Sequence, residues 1–250
     1  MIYATYYPGD DLPDDDQLVS DLKKFLKIYK KLNFYGSFHE FLESRGFYFD
    51  SEVVENFLLS LKVKPFVILT GNSGTGKTKL AQLYGEYISN GDKRYLMVPV
   101  GANWTEKRHI FGYLNMMSGE YQSTPALDFI MKAAEDPDNP YLLILDEMNL
   151  SHVERYFSDF LSAIESGEPI PLHDDPDCDF PRKIRIPRNL IVVGTVNVDE
   201  TTYMFSPKVL DRANTIEFKT INPQDYLTNK PRQKPQGNME FLEDPLNHKT

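Results

Sequence analysis

Short apolar runs alternate along the chain with longer stretches in which apolar residues recur every three or four positions. The runs are Phe66 to Thr70, Tyr95 to Val100, Tyr141 to Leu145, Leu190 to Thr195 and Thr215 to Phe218. They predict strands, and the fully apolar ones read as strands covered on both faces. The three- and four-residue spacing predicts helices over Gln17 to Leu32, Ser37 to Ser44, Ser51 to Leu61, Lys77 to about Ser89, Pro125 to Ala134 and Leu150 to Glu165. The last would bury a face of Val153, Phe157, Phe160, Leu161 and Ile164. Strand and helix alternate as in βαβ units, so the expected fold class is α/β, a parallel sheet flanked by helices. A polar, Pro-rich stretch from Gly167 to Arg188 interrupts the pattern, and beyond Pro223 it dissolves into polar residues.

Composition narrows the possibilities. The chain has 250 residues, 41% of them hydrophobic, enough for one sizeable core with a small appendage. A formal charge of −10, from 27 basic and 37 acidic residues, disfavours a surface devoted to wrapping nucleic acid and leaves room for a local basic patch. The lone cysteine, Cys178, excludes an internal disulfide framework and a multi-cysteine zinc site. The five histidines show no paired ligand spacing. Neither a basic leader with an apolar stretch nor a membrane-length apolar run is present, so a soluble, cytoplasmic protein is expected, with no membrane partner. The aspartates at positions 10, 11, 14, 15 and 16 read as a solvated leader into the first helix.

Candidate chemistry gathers at the ends of the predicted strands. Directly after the first comes Gly71-Asn72-Ser73-Gly74-Thr75-Gly76-Lys77-Thr78, a complete phosphate-binding loop opening a helix. Its backbone N–H groups would surround the phosphates, Lys77 would reach the terminal ones, and the Thr78 hydroxyl would ligate magnesium. The strand Tyr141 to Leu145 ends in Asp146-Glu147 at the edge where open α/β sheets bind ligands. Asp146 is expected to hold magnesium and Glu147 to orient the attacking water at a terminal phosphate. Asn197, at the end of the Leu190 strand, would touch that phosphate or the water; alone it would be a turn residue. Ser206 to Asn214 reads as a short helix with Pro207 in its first turn and Arg212 near its end, where a guanidinium could stabilise phosphoryl charge on a neighbouring subunit or pair with a surface carboxylate. Arg182, Lys183, Arg185 and Arg188 form a small basic cluster, read either as a solvated hairpin or as a contact to DNA or a partner.

Taken together these segments resemble the AAA+ superfamily, and within it the McrB-like branch, the motor subunits of modification-dependent restriction systems. Gly71 to Thr78 looks like Walker A, Leu142 to Glu147 with Met148-Asn149 like Walker B, and Thr195-Val196-Asn197 like sensor 1. Val209-Leu210-Asp211-Arg212 falls where such proteins carry a trans-acting arginine. Trp104, Phe111-Gly112-Tyr113 and Val153 to Phe157 also match segments of close relatives. The resemblance covers about Phe66 to Phe218. On this reading the chain divides into a helical N-terminal segment over 1–62, an AAA+ nucleotide-binding core over 63–222, and a polar tail or truncated start of a lid over 223–250; the expected absence of a lid with its sensor 2 arginine departs from the family pattern. The resemblance implies an ATP or GTP hydrolase with Mg2+, assembled as a ring, a hexamer by resemblance, and partnered by an McrC-like nuclease. Glu200 stands after Asn197-Val198-Asp199 where the branch carries an Asp-Arg pair, which favours ATP over the branch's GTP.

Two other functions fit the same motifs. A nucleotide-gated scaffold would bind and assemble with little hydrolysis. A MoxR-like chaperone would remodel protein complexes rather than drive a nuclease.

Overall fold

The computed structural model describes residues 38–89, 91–198 and 203–219. The expected helix from Gln17 to Leu32, the aspartate leader, Glu200 and the tail beyond Pro223 lie outside the described residues.

Five strands form the main sheet: β1 (Phe66–Gly71), β2 (Tyr95–Pro99), β5 (Tyr141–Asp146), β8 (Leu190–Asn197) and β9 (Asn214–Phe218). Their order is β2-β5-β8-β1-β9 and every neighbouring pair is parallel. Parallel strands need helical crossovers, and helices cover both faces. Side chains along each strand alternate between those faces. Val67 and Leu69 of β1, Leu142 and Ile144 of β5 and Val193 of β8 join one core cluster. Phe66, Ile68, Leu143, Leu145 and Val192 join the other. The first is closed by α1 (residues 38–44), α2 (Ser51–Val63) and α3 (Lys77–Ser89), which contribute Phe38, Leu42, Val54, Phe57, Leu58 and Leu80. The segment before β1 therefore shares a core with the sheet. The other face carries α4 (Arg108–Phe111), α5 (Pro125–Glu135), α6 (Val153–Tyr156) and α7 (Ser158–Ser166).

Local signals set the ends of these elements. The Asp50 carboxylate accepts the Glu52 N–H at 2.8 Å at the start of α2. Thr124 accepts the Leu127 N–H at 3.1 Å with Pro125 in the first turn of α5. The helix expected from Leu150 to Glu165 is instead broken: a 3₁₀ turn at Met148–Leu150, then α6, then α7. The reason is burial on too many sides. Val153, Tyr156, Phe157, Phe160 and Leu161 are all buried, and one straight helix would leave part of that set in water. A non-helical Phe157 (φ −113°, ψ 4°) turns both aromatics inward, where the Tyr156 hydroxyl donates to Met148 O at 2.8 Å and Phe157 stacks on Phe160.

Two antiparallel hairpins stand off the sheet. The first pairs β3 (Tyr113–Asn115) with β4 (Glu120–Gln122), and the second pairs β6 (Ile170–Pro171) with β7 (Lys183–Ile184). They are joined by Tyr121 stacking on Phe180 at 4.3 Å. Arg182, Lys183, Arg185 and Arg188 are exposed on or just after the second hairpin, whose loop also carries Asp174, Asp175, Asp177 and Asp179, so its charge is mixed rather than basic. Cys178, in the same loop, is a free thiol. Among the described residues no helix is long and apolar enough to cross a membrane.

The last short helix, expected over Ser206 to Asn214, is only α8 (Pro207–Leu210); Arg212 lies beyond its end, because Asn214 already pairs with Val67 as the first residue of β9.

Candidate functional site

The carboxyl ends of β1, β5 and β8 converge on one edge of the sheet, and the polar residues predicted from sequence meet there. Gly71, paired in register with Asn197 of β8, ends β1 at φ 148°. A Cβ at Gly71 would stand 2.5 Å from the Phe218 carbonyl oxygen, so only glycine lets β9 run this close. Gly74 and Gly76 also have positive φ, and the loop closes on itself through Thr75 Oγ1 donating to Asn72 O at 2.9 Å. The Leu80 N–H then bonds to Gly76 O at 2.9 Å, in the first turn of α3.

Lys77 is 4% exposed, and its ammonium is folded into the loop. It donates to Gly71 O at 2.8 Å, Asn72 O at 2.6 Å and Thr75 Oγ1 at 3.4 Å. A buried cation held by neutral carbonyls keeps its charge available to an anion entering the loop.

Beside the loop runs a connected network. Asp146 Oδ1 accepts from Thr78 Oγ1 and from Thr195 Oγ1, each at 2.7 Å. The Thr195 oxygen in turn accepts the Glu147 N–H at 3.0 Å. Glu147 is the only described non-glycine residue with positive φ (52°, ψ 45°), and its Oε1 accepts from Asn197 Nδ2 at 3.2 Å. That left-handed turn changes the chain direction so that Asp146 and Glu147 present their carboxylates to the same edge. Asn197 is itself held, its carbonyl accepting from Asn149 Nδ2 at 3.3 Å. Thr78, Asp146, Glu147 and Asn197 are thus brought together by two strands, β5 and β8, and one helix, α3. Thr78 and Asp146 offer two hard oxygens next to a phosphate loop, a donor set that suits magnesium, which keeps its other positions for water and substrate phosphate.

Sequence reasoning left Thr195 without a role beyond its motif. Its signal is a buried hydroxyl, 2% exposed, in an otherwise apolar strand one layer before Asn197. Such a group must find partners on the adjacent strand, and β5 supplies them.

Arg212 does not join this group. It lies just before β9, and β9 pairs Asn214 with Val67 near the beginning of β1. Lys64 Nζ, just before β1, donates to Asp211 O at 2.8 Å and Ala213 O at 3.2 Å, fixing that end of the chain. Five to six residues of strand separate this edge from the loop, roughly 16–20 Å. Arg212 pairs within its own chain with Glu165 and donates to Lys208 O at 2.8 Å.

Around the site, burial shapes two ionisable groups. It pushes the Tyr156 hydroxyl far up, keeping it a neutral donor to Met148. Burial, the largest single influence on Glu154, would raise it, but the hydrogen bonds from Ser206, with Ser206 N at 2.8 Å, and from its own backbone, together with nearby His152, outweigh burial and hold it below its ordinary value, so it stays ionised at the start of α8.

Comparison with known proteins agrees with this geometry. Over 191 residues the chain is 26% identical to the Type IV methyl-directed restriction enzyme EcoKMcrB subunit of Escherichia coli (strain K12), covering 71% of this chain and 41% of that relative. The chain therefore spans less than half the length of the curated relative it matches. The family model described as AAA domain (dynein-related subfamily) matches residues 66–213, which run from the first residue of β1 to the threshold of β9 and hold every site residue named above. With a parallel five-stranded sheet, a phosphate loop after β1 and that match over more than half its length, the chain belongs to the AAA domain family of the dynein-related subfamily.

Proposed function

We propose that this protein is an AAA+ ATPase that hydrolyses ATP between adjoining copies of itself. The observation that carries the proposal is the bonded series Thr78, Asp146, Thr195, Glu147 and Asn197, aligned beside the phosphate loop. The phosphates lie among the N–H groups of residues 71 to 78, with Lys77 exchanging its loop carbonyls for phosphate oxygens. Magnesium, held by Thr78 and Asp146, offsets phosphate charge when bound. Glu147 orients the attacking water through its carboxylate, and Asn197 keeps that carboxylate aimed. Water adds to the terminal phosphorus as the bond to the bridging oxygen breaks, and the water proton passes to Glu147 or directly to phosphate. Arg212 cannot reach the loop of its own chain, which supports a role at the nucleotide of the next copy, in a ring that the resemblance makes a hexamer.

The wider role is motor subunit of a DNA restriction system, with an McrC-like nuclease as effector. The likeness to the Escherichia coli restriction subunit supports it. ATP is favoured over GTP by the Glu200 departure.

The test is phosphate release from ATP and GTP, with magnesium, over a series of protein concentrations. Turnover should rise steeply with concentration and vanish in Glu147→Gln. Negligible turnover at every concentration would replace the motor with a nucleotide-gated scaffold. Stimulation by a protein client but not by DNA or a nuclease would replace the restriction role with a chaperone's.

A further inference from the structure

The guanidinium of Arg212 is committed within its own chain. One terminal nitrogen pairs with the Glu165 carboxylate, the other donates to Lys208 O at 2.8 Å, and Nε is buried without a partner. The arginine side chain is 22% exposed and that of Glu165 64%. The arginine is folded down, and the carboxylate lies over it on the water side.

Glu165 is in the last turn of α7, which has no basic residue there. A carboxylate at that end faces the negative pole of the helix, so Arg212 supplies its compensating charge from outside the helix. The position of Glu165 is fixed by the buried Phe160, Leu161 and Ala163.

We propose that Glu165 is a positioning residue for Arg212: it holds the guanidinium on α7 in the unassembled chain, and triphosphate bound by a neighbouring copy must take the arginine from it. The inference rests on the proposed trans role of Arg212. The exchange is favourable because a polyphosphate offers several charged oxygens to the guanidinium fork where Glu165 offers one carboxylate. Glu165, already mostly in water, is released at little cost. The arginine is thus withheld from free copies and handed over on docking.

The experiment compares the parent protein, Glu165→Gln, Arg212→Ala and the double variant. At protein concentrations where copies are mostly separate, Glu165→Gln should raise ATP turnover about two- to fivefold, the ratio an exposed ion pair is worth. It should lower by a similar factor the protein concentration needed for half-maximal assembly with a non-hydrolysable ATP analogue, read by sedimentation velocity. Turnover at saturating protein should match the parent, and the double variant should lose the assembly shift. If Arg212→Ala keeps full turnover, the trans role and this inference fall together. If Arg212→Ala is inactive while Glu165→Gln matches the parent in both measurements, or is slower at saturating protein, the inference alone falls.

Discussion

Replacing Thr195 with Val removes one oxygen and almost no volume, and that oxygen carries two bonds. It donates to Asp146 Oδ1 at 2.7 Å and accepts the Glu147 N–H at 3.0 Å, at a position 2% exposed. A hydrogen bond to a charged group contributes about 1.5–3 kcal/mol, and a buried N–H left without an acceptor costs about 1–3 kcal/mol. Asp146 and Glu147 are only half-buried, so water recovers part of this, and the net loss should be about 2–3 kcal/mol. For a domain of this size that lowers Tm by roughly 4–12 °C. The functional loss should be larger in proportion, because the same oxygen holds the left-handed turn at Glu147. A misplacement of about 1 Å at a reacting group can cost roughly a hundredfold, so kcat should fall ten- to a hundredfold while ATP binding is nearly kept. Thr195→Ser, which keeps the hydroxyl, should recover most of both. Differential scanning fluorimetry and phosphate release read the two effects separately. A Val variant with parental Tm and kcat would refute the argument that this hydroxyl organises the two carboxylates.

The Lys77→Ala variant should weaken binding of a fluorescent ATP analogue by about ten- to a hundredfold, the worth of one charge-assisted contact; unchanged affinity would remove the lysine from phosphate recognition. In Gly194→Ala the new Cβ would stand 2.1 Å from the Sδ of fully buried Met148, so a loss of about 1–3 kcal/mol is expected in chemical denaturation. Gly194→Ala with Met148→Ala should cost less than the sum of the two, and strict additivity would show the contact is not the cause. Burial first and the neighbouring Arg108 second hold the His109 imidazole below its ordinary value of 6.5, so the fold prefers the neutral ring. Its contribution is complete above pH 6.5 and is lost as pH falls below it. Trp104, the lone tryptophan, stacks on that ring at 5.4 Å and 9°, so its emission should change with a midpoint below 6.5 and become flat in His109→Gln.

What could be read from the sequence was whatever depends on near neighbours. Gly71 to Thr78 is contiguous, and Asp146-Glu147 follows directly on an apolar run, so loop and carboxylates were legible with their strands. The Asn197 reading needed only the end of another such run. What escaped depends on residues far apart in the chain. The partner of Arg212 is Glu165, 47 positions earlier, and a surface carboxylate could be expected there without being identified. The break at Phe157 follows from a core that covers α6 and α7 on several sides, which a single helical period cannot express. The β3–β4 hairpin has three-residue strands, too short for a periodic signal, and its Tyr121 stacks on Phe180, 59 positions away.

A parallel sheet is also a vector, and that sets the arithmetic of any assembly built on it. The phosphate loop lies at the head of β1, while Arg212 precedes β9 at the tail, so one copy carries a receiving end and a giving end that point apart. With Arg212 in the proposed role and copies in contact head to tail as in the proposed ring, an open row of n copies has n − 1 complete sites whereas a closed one has n. Closure adds one working site with no new kind of contact. A copy lacking Arg212 silences its neighbour's site and keeps its own, so activity in mixtures should fall in proportion to the giving ends removed rather than to the nucleotides displaced.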